Sequence, residues 1–403
     1  MGQAADHGLE IRFAKRTEWA FGENALSAKL AELKANSAPV FDLTLSNPLK
    51  CGLDVSGMGI AGSFDREGLL DYSPDPWGLM SAREEVCRYY AQRGAAAKPE
   101  RTMLTASTSD AYNYIFRLLC DPQDEVLVPM PSYPLFSFLA DVSDVVLRPY
   151  ALVYDGVWRL DRKAFSAAIS ARTKAVIVVN PNNPTGSFLR ADDFAFMQAT
   201  AKAHGLAIVC DEVFGDYALD AAADATLSLV GQSEVLTFVL SGLSKILALP
   251  QMKLAWMLVQ GPDVPVEAAC KRLEIIADTF LSVNTPVQLA FATWMERRER
   301  VLGPLMERLR ENTDLLRSAV AGVDGIELLR VEGGWYAVLR MSGVFNEERF
   351  TLGLLEEQGV AVHPGYYYDF DGGAHAVLSL LTSPEVWVEG ISRLLDYYRR
   401  KAF

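Results

Sequence analysis

The chain has 403 residues, half of them hydrophobic and 22% charged, with a formal net charge of −13. That length exceeds one simple core and predicts two domains, and the acidic balance argues against nucleic acid or an anionic membrane surface as a partner. Five scattered cysteines without a CxxC pair and four isolated histidines exclude a disulfide framework and a zinc site of known spacing; with no apolar run of membrane-spanning length, a soluble, cytoplasmic protein without a metal site is expected.

The N-terminal stretch MGQAADHGLEIRFAKR lacks the apolar core of a secretory signal, and Asp6 stands where a myristoylation signal wants Ser or Thr. Further on, short apolar runs alternate with helical patterns. The runs are EVLVPMP (Glu125–Pro131), KAVIVVN (Lys174–Asn180), LAIVCDEV (Leu206–Val213), VLTFVLS (Val235–Ser241) and KLAWMLVQ (Lys253–Gln260). They are nearly continuously apolar, as strands buried on both faces are. Patterns such as DAYNYIFRLLC and ADDFAFMQATAKAHG separate several of them, which predicts a sheet covered by helices on both sides. The segment from Asn284 to Val320 opens with an Asn or Thr cap and Pro286 at the first helical position. It reads as one or two long helices bent at Gly303–Pro304. Beyond it the texture changes to shorter strands and helices, so a domain boundary is expected near its start. The basic clusters RRER (Arg297–Arg300) and YRRK read as solvated helix faces, and no internal repeat is visible.

Function in such a sheet sits where parallel strands end and their loops converge. KAVIVVN runs into PNNPTG, where Asn183 could donate a hydrogen bond to an oxyanion or serve a plain Asn-Pro turn. LAIVC runs into Asp211, a carboxylate that needs a cation or donor if buried and that could equally cap a helix. VLTFVLS runs into GLSK and delivers Lys245 ahead of an apolar run. That lysine is either a snorkelling surface charge or an amine of lowered pKa that forms an imine. Successive members of this trio are each about one βαβ step of ~30 residues apart, so all three can meet at one sheet edge.

In that order and spacing, NPNNPTG, DEVF and SGLSKILALPQMKLAW resemble the class I/II aminotransferases, which have the type I fold of pyridoxal-phosphate (PLP) enzymes. The similarity extends from LTLSNP (Leu43–Pro48) through the C-terminal helix. It implies an α/β protein with a mainly parallel seven-stranded sheet in an α/β/α large domain and a smaller α+β domain. Residues 1–47 would form an N-terminal arm and part of the small domain, 48–285 the PLP-binding large domain, and 286–403 the C-terminal small domain. It also implies PLP as cofactor, an amino donor and a keto acid as substrates, and a homodimer with shared active sites. Carried over residue by residue, Lys245 holds the cofactor as a Schiff base and then acts as the base at Cα. Asp211 pairs with the protonated pyridine nitrogen, and Asn183 donates to the phenolate oxygen. Ser107, Thr108 and Ser109, in TASTSDAYNY, bind the phosphate at a helix N-terminus. Ser244 and Lys253 complete the phosphate cup, Tyr133 stacks on the pyridine ring, and Tyr72 reaches the phosphate of the neighbouring subunit.

Four positions depart from the family pattern. Phe214 replaces the tyrosine of DE-x-Y and removes one donor to the phenolate oxygen. Lys253 stands for an arginine and loses the bidentate fork, while Gly242 lacks the hydroxyl often found there. In HAVLSLLTSPE, Val377 occupies the place of the arginine that binds the substrate α-carboxylate, and no Lys or Arg occurs between Phe350 and Ser392. Only His363 and His375 could bring positive charge there. The expected activity is therefore transamination with atypical carboxylate recognition. A lyase or decarboxylase of the same fold, or a catalytically degenerate relative, is the alternative.

Overall fold

The structure is a computed structural model that describes residues 13–401 apart from Glu23 and Ser73. The reading of Asp6 and the first twelve residues of the expected arm lie outside the described residues. Its centre is an eight-stranded sheet in the order Thr102–Thr105, Ala255–Gln260, Thr237–Gly242, Ala207–Asp211, Thr173–Val179, Glu125–Met130, Val146–Tyr154 and Trp158–Leu160. Neighbours from Thr237–Gly242 to Val146–Tyr154 are parallel. Ala255–Gln260 runs antiparallel to both of its neighbours. The eighth strand corrects the expectation of seven: Trp158–Leu160 folds back on Val146–Tyr154 as a short hairpin. With only Trp158 and Leu160 buried, three residues carry too little pattern to announce a strand.

The continuous apolar runs have the predicted cause. Val176, Val178, Ile208 and Cys210 join the hydrophobic cluster on one face of the sheet, while Ala175, Ile177, Val179, Ala207 and Val209 join the cluster on the other. Period-2 alternation then assigns Asp211 to the second face. The helix Thr108–Leu119 covers that face and contributes Tyr112 and Ile115 to its cluster.

A four-stranded antiparallel sheet, Ile326–Leu328, Tyr336–Met341, Ala374–Ser379 and His363–Pro364, faces this edge. The N-terminal segment joins this part of the chain, since Phe41–Asp42 pairs in parallel with Val360–Ala361. The turn of PNNPTG meets the small sheet closely: Gly186 has φ +70°, and a Cβ there would lie 2.4 Å from the carbonyl oxygen of Gly333. Only glycine fits both the left-handed backbone and the space.

Two expectations on the connecting helices change. The break falls between Thr285–Met295 and Glu299–Val320, and the second helix continues through Pro304. Pro304 sits early in that helix, where its missing N–H forfeits a single intrahelical bond. The RRER cluster is only in part a solvated face: Glu299 and Arg300 are exposed, while Arg297 and Arg298 are half-buried. Arg297 donates to the Met58 carbonyl at 2.7 Å, Arg300 to the Gly57 carbonyl at 3.2 Å, and Arg298 lies 3.8 Å from the buried Asp216. No single helix among the described residues is long and apolar enough to cross a membrane.

Candidate active site

Strand register brings the trio together. Val179 and Leu240 both pair with Asp211 across the sheet, so Asn183 and Lys245, a few residues beyond them, share one sheet edge with it. All three line a cavity of about 570 Å³ between that edge and the small sheet. Ser107, Thr108, Ser109, Tyr133, Ser244 and Lys253 line the same cavity. Tyr72 does not: it is 84% exposed and borders a separate hollow with Asn284 and Gln288.

Asp211 is buried, and its Oδ1 accepts from the Val213 N–H at 3.1 Å. The Tyr112 hydroxyl donates to Oδ2 at 3.4 Å. Burial pushes its pKa up to about 6 despite those donors and the nearby Lys245. A buried carboxylate so raised lacks a cation in contact. Lys245 Nζ lies 4.7 Å from the ring centroid of Trp335 and 5.3 Å from that of Phe214. Burial lowers its pKa to about 8, with Asp211 opposing. The Tyr217 hydroxyl donates to the Lys245 carbonyl at 2.6 Å and fixes the backbone under the amine.

At the other end, Ser107 caps the helix Thr108–Leu119, its Oγ accepting from the Asp110 N–H at 3.1 Å. The first-turn N–H groups and the positive end of the helix dipole thus lie beside the cavity lining. Lys253 has a left-handed backbone (φ +51°) as it ends the turn Pro250–Met252. Gly242 has a packing reason to be small, because a Cβ there would lie 2.7 Å from the Ala255 Cβ.

These groups match the needs of a planar, cationic, phosphate-bearing group. Asp211 awaits a cation, and the hydroxyl-rich helix end and Lys253 suit a phosphate. PLP has those features, so the residues fit it.

Sequence reasoning missed Tyr112, Tyr217 and Trp335, which act on Asp211 and Lys245 from other elements. Tyr112 lies within TASTSDAYNY but drew no role there, Tyr217 lies in no motif, and Trp335, after the Gly333-Gly334 pair, carries a local signal of close backbone approach. Val377 is 1% exposed, in a cluster with Trp158, Leu329, Val338 and Tyr368. His363 lines the cavity, whereas His375 is buried elsewhere, its Nδ1 3.1 Å from the Gly373 carbonyl and its ring stacked on Phe370.

The sequence profile described as "Aminotransferase class I and II" matches residues 65–377, so the chain belongs to that family, whose members are PLP-dependent transaminases. The chain is 26% identical over 340 residues to a glutamate-pyruvate aminotransferase of Haemophilus influenzae, covering 81% of this chain and 83% of that one. It is 26% identical over 329 residues to a tyrosine aminotransferase of Mus musculus, covering 79% and 71%. The fold is similar to that of an alanine aminotransferase from Pyrococcus furiosus, with a TM-score of 0.87, 23% identity and coverage of 96% and 100%. The aminotransferase activity expected from the motifs is thus the activity of the family.

Proposed function

We propose that this protein transfers an amino group from an amino donor to a keto acid through Lys245, with a substrate grip that differs from the family's arginine. The observation that carries this reading is the shared edge where Asp211, Asn183 and Lys245 meet in one cavity. Bound PLP supplies an aldehyde and an electron-accepting ring. Lys245 holds that aldehyde covalently. With its pKa near 8, a useful fraction of Nζ is uncharged at neutral pH, so it serves as nucleophile and, once released, as the base that carries the Cα proton. Asp211 would hold a proton on the ring nitrogen, and Asn183 would donate to the phenolate oxygen. Ser107, Thr108, Ser109, Ser244 and Lys253 hold the phosphate, and Tyr133 stacks on the ring.

Residues 48–285 are the cofactor-binding domain in this reading, with 286–403 and the arm 1–47 as the small domain. Tyr72, exposed and outside the cavity of its own chain, contributes to the neighbouring subunit of a cytoplasmic homodimer. Half-reactions with a panel of amino acids and amines test the activity. Conversion of the bound cofactor to its amine form supports transamination. Keto-acid release without that conversion supports a lyase, and no change with any donor supports degeneracy.

A further inference from the structure

We propose that His363, its tautomer set by Tyr368, is the residue that grips the carboxylate of an amino-acid donor where Val377 supplies no charge. The inference rests on the transamination reading above. His363 and Val377 are directly opposed across antiparallel strands, so both side chains leave the same face of the small sheet, roughly 5 Å apart at Cα. Tyr368 belongs both to the apolar cluster around Val377 and to the cavity lining, whereas Val377 is not part of that lining. The same tyrosine's hydroxyl lies 3.0 Å from His363 Nδ1. His363 itself lines the cavity.

The charge inventory leaves this position to His363. Among the described residues no arginine lines the cavity; its basic residues are Lys245, Lys253 and His363. Lys245 is committed to the aldehyde and Lys253 to the phosphate. His375 has its Nδ1 tied to the Gly373 carbonyl and is absent from the lining. When Tyr368 O–H donates to Nδ1, the ring proton sits on Nε2, which has no hydrogen-bond partner among the described residues. Nε2–H is then a fixed donor for a carboxylate. Burial holds the imidazole below its ordinary pKa and raises that of the Tyr368 phenol, so both stay neutral, the state in which the phenol can donate to Nδ1. Tyr336 and Ser46 line the same cavity, while Leu135, Phe136, Phe138 and Leu249 form an apolar wall suited to an aliphatic side chain.

The test uses the PLP-loaded enzyme and two isosteric probes, 4-methylpentanoate and 4-methylpentanamide, with calorimetry as the readout. The wild type is expected to bind the carboxylate roughly tenfold to hundredfold more tightly than the amide, as a hydrogen bond to a charged group allows. His363→Phe should erase that preference without weakening amide binding, and Tyr368→Phe should reduce it by freeing the tautomer. Equal affinity for both probes in the wild type, or an undiminished preference in both variants, overturns the proposal. Turnover of L-leucine against 3-methylbutylamine separates the two readings. If the carboxylate preference exists and His363→Phe abolishes it, yet neither donor is converted, the grip stands and transamination falls. If L-leucine is converted with an unchanged KM in His363→Phe, transamination stands and the grip falls.

Discussion

The two walls of the cavity differ in how they are built. On the large-sheet side, Asn183, Asp211 and Lys245 follow parallel strands in fixed register and carry the family's residue types. On the small-sheet side, the face holding Tyr336, His363 and Val377 is built from short antiparallel strands. The cofactor presents the same ring and phosphate to every member of the family, so the groups that meet it have little freedom. A substrate grip has only to place one donor within reach, and a neighbouring strand can supply it from another position.

That contrast can be tested from its strongest element downward. Lys245→Ala should abolish covalent retention of the cofactor, read by mass after borohydride reduction, and lower turnover by about 10⁴-fold. Attachment at another lysine would break the assignment of the large-sheet wall. Asp211→Asn removes the anion that a protonated ring needs. The expected loss is about 3 kcal/mol, close to a hundredfold in cofactor Kd by spectroscopic titration, and an unchanged Kd would mean the ring nitrogen lies elsewhere.

Glu212, the next residue, sharpens the point because it faces the other way. Its carboxylate accepts from the Leu229 N–H at 2.7 Å and the Ser228 hydroxyl at 2.8 Å, beneath the sheet edge. Burial raises its pKa from 4.5 to about 7. The folded protein therefore holds a proton there that the unfolded chain releases, and this share of stability is lost as pH rises through about 7. Glu212→Gln lacks that titration. The stability of wild type relative to the variant should fall by about 2 kcal/mol between pH 5.5 and pH 8 in urea unfolding, with cofactor affinity unaltered. The smallest effect concerns Phe214. Restoring the phenol in Phe214→Tyr should lower the pKa of the lysine–cofactor linkage by about one unit, seen in a spectrophotometric pH titration; no fall would show that the phenol does not reach the phenolate oxygen.

The buried apolar runs and the trio at their exits were legible because apolar continuity and loop position are local patterns; the order of the strands was not, because pairing joins distant segments. The hairpin at Trp158–Leu160 was not, being three residues long, and the helix break at 296–298 was masked by a proline that the second helix absorbs. Arg297 looked like a solvent charge because nothing local marks the Met58 carbonyl as its partner.

The sequence by itself determined the class of protein and the meeting of Asn183, Asp211 and Lys245 at one sheet edge, since each of those residues sits at a fixed offset from a strand that its own neighbours specify. Tertiary structure alone decided which histidine faces the cavity, which aromatic rings surround the lysine, and which tyrosine supports Asp211. Those relations join residues distant in the chain through packing and cross-strand register. His363 and His375 are similar as letters; one lies opposite Val377 at the cavity, and the other is stacked against Phe370.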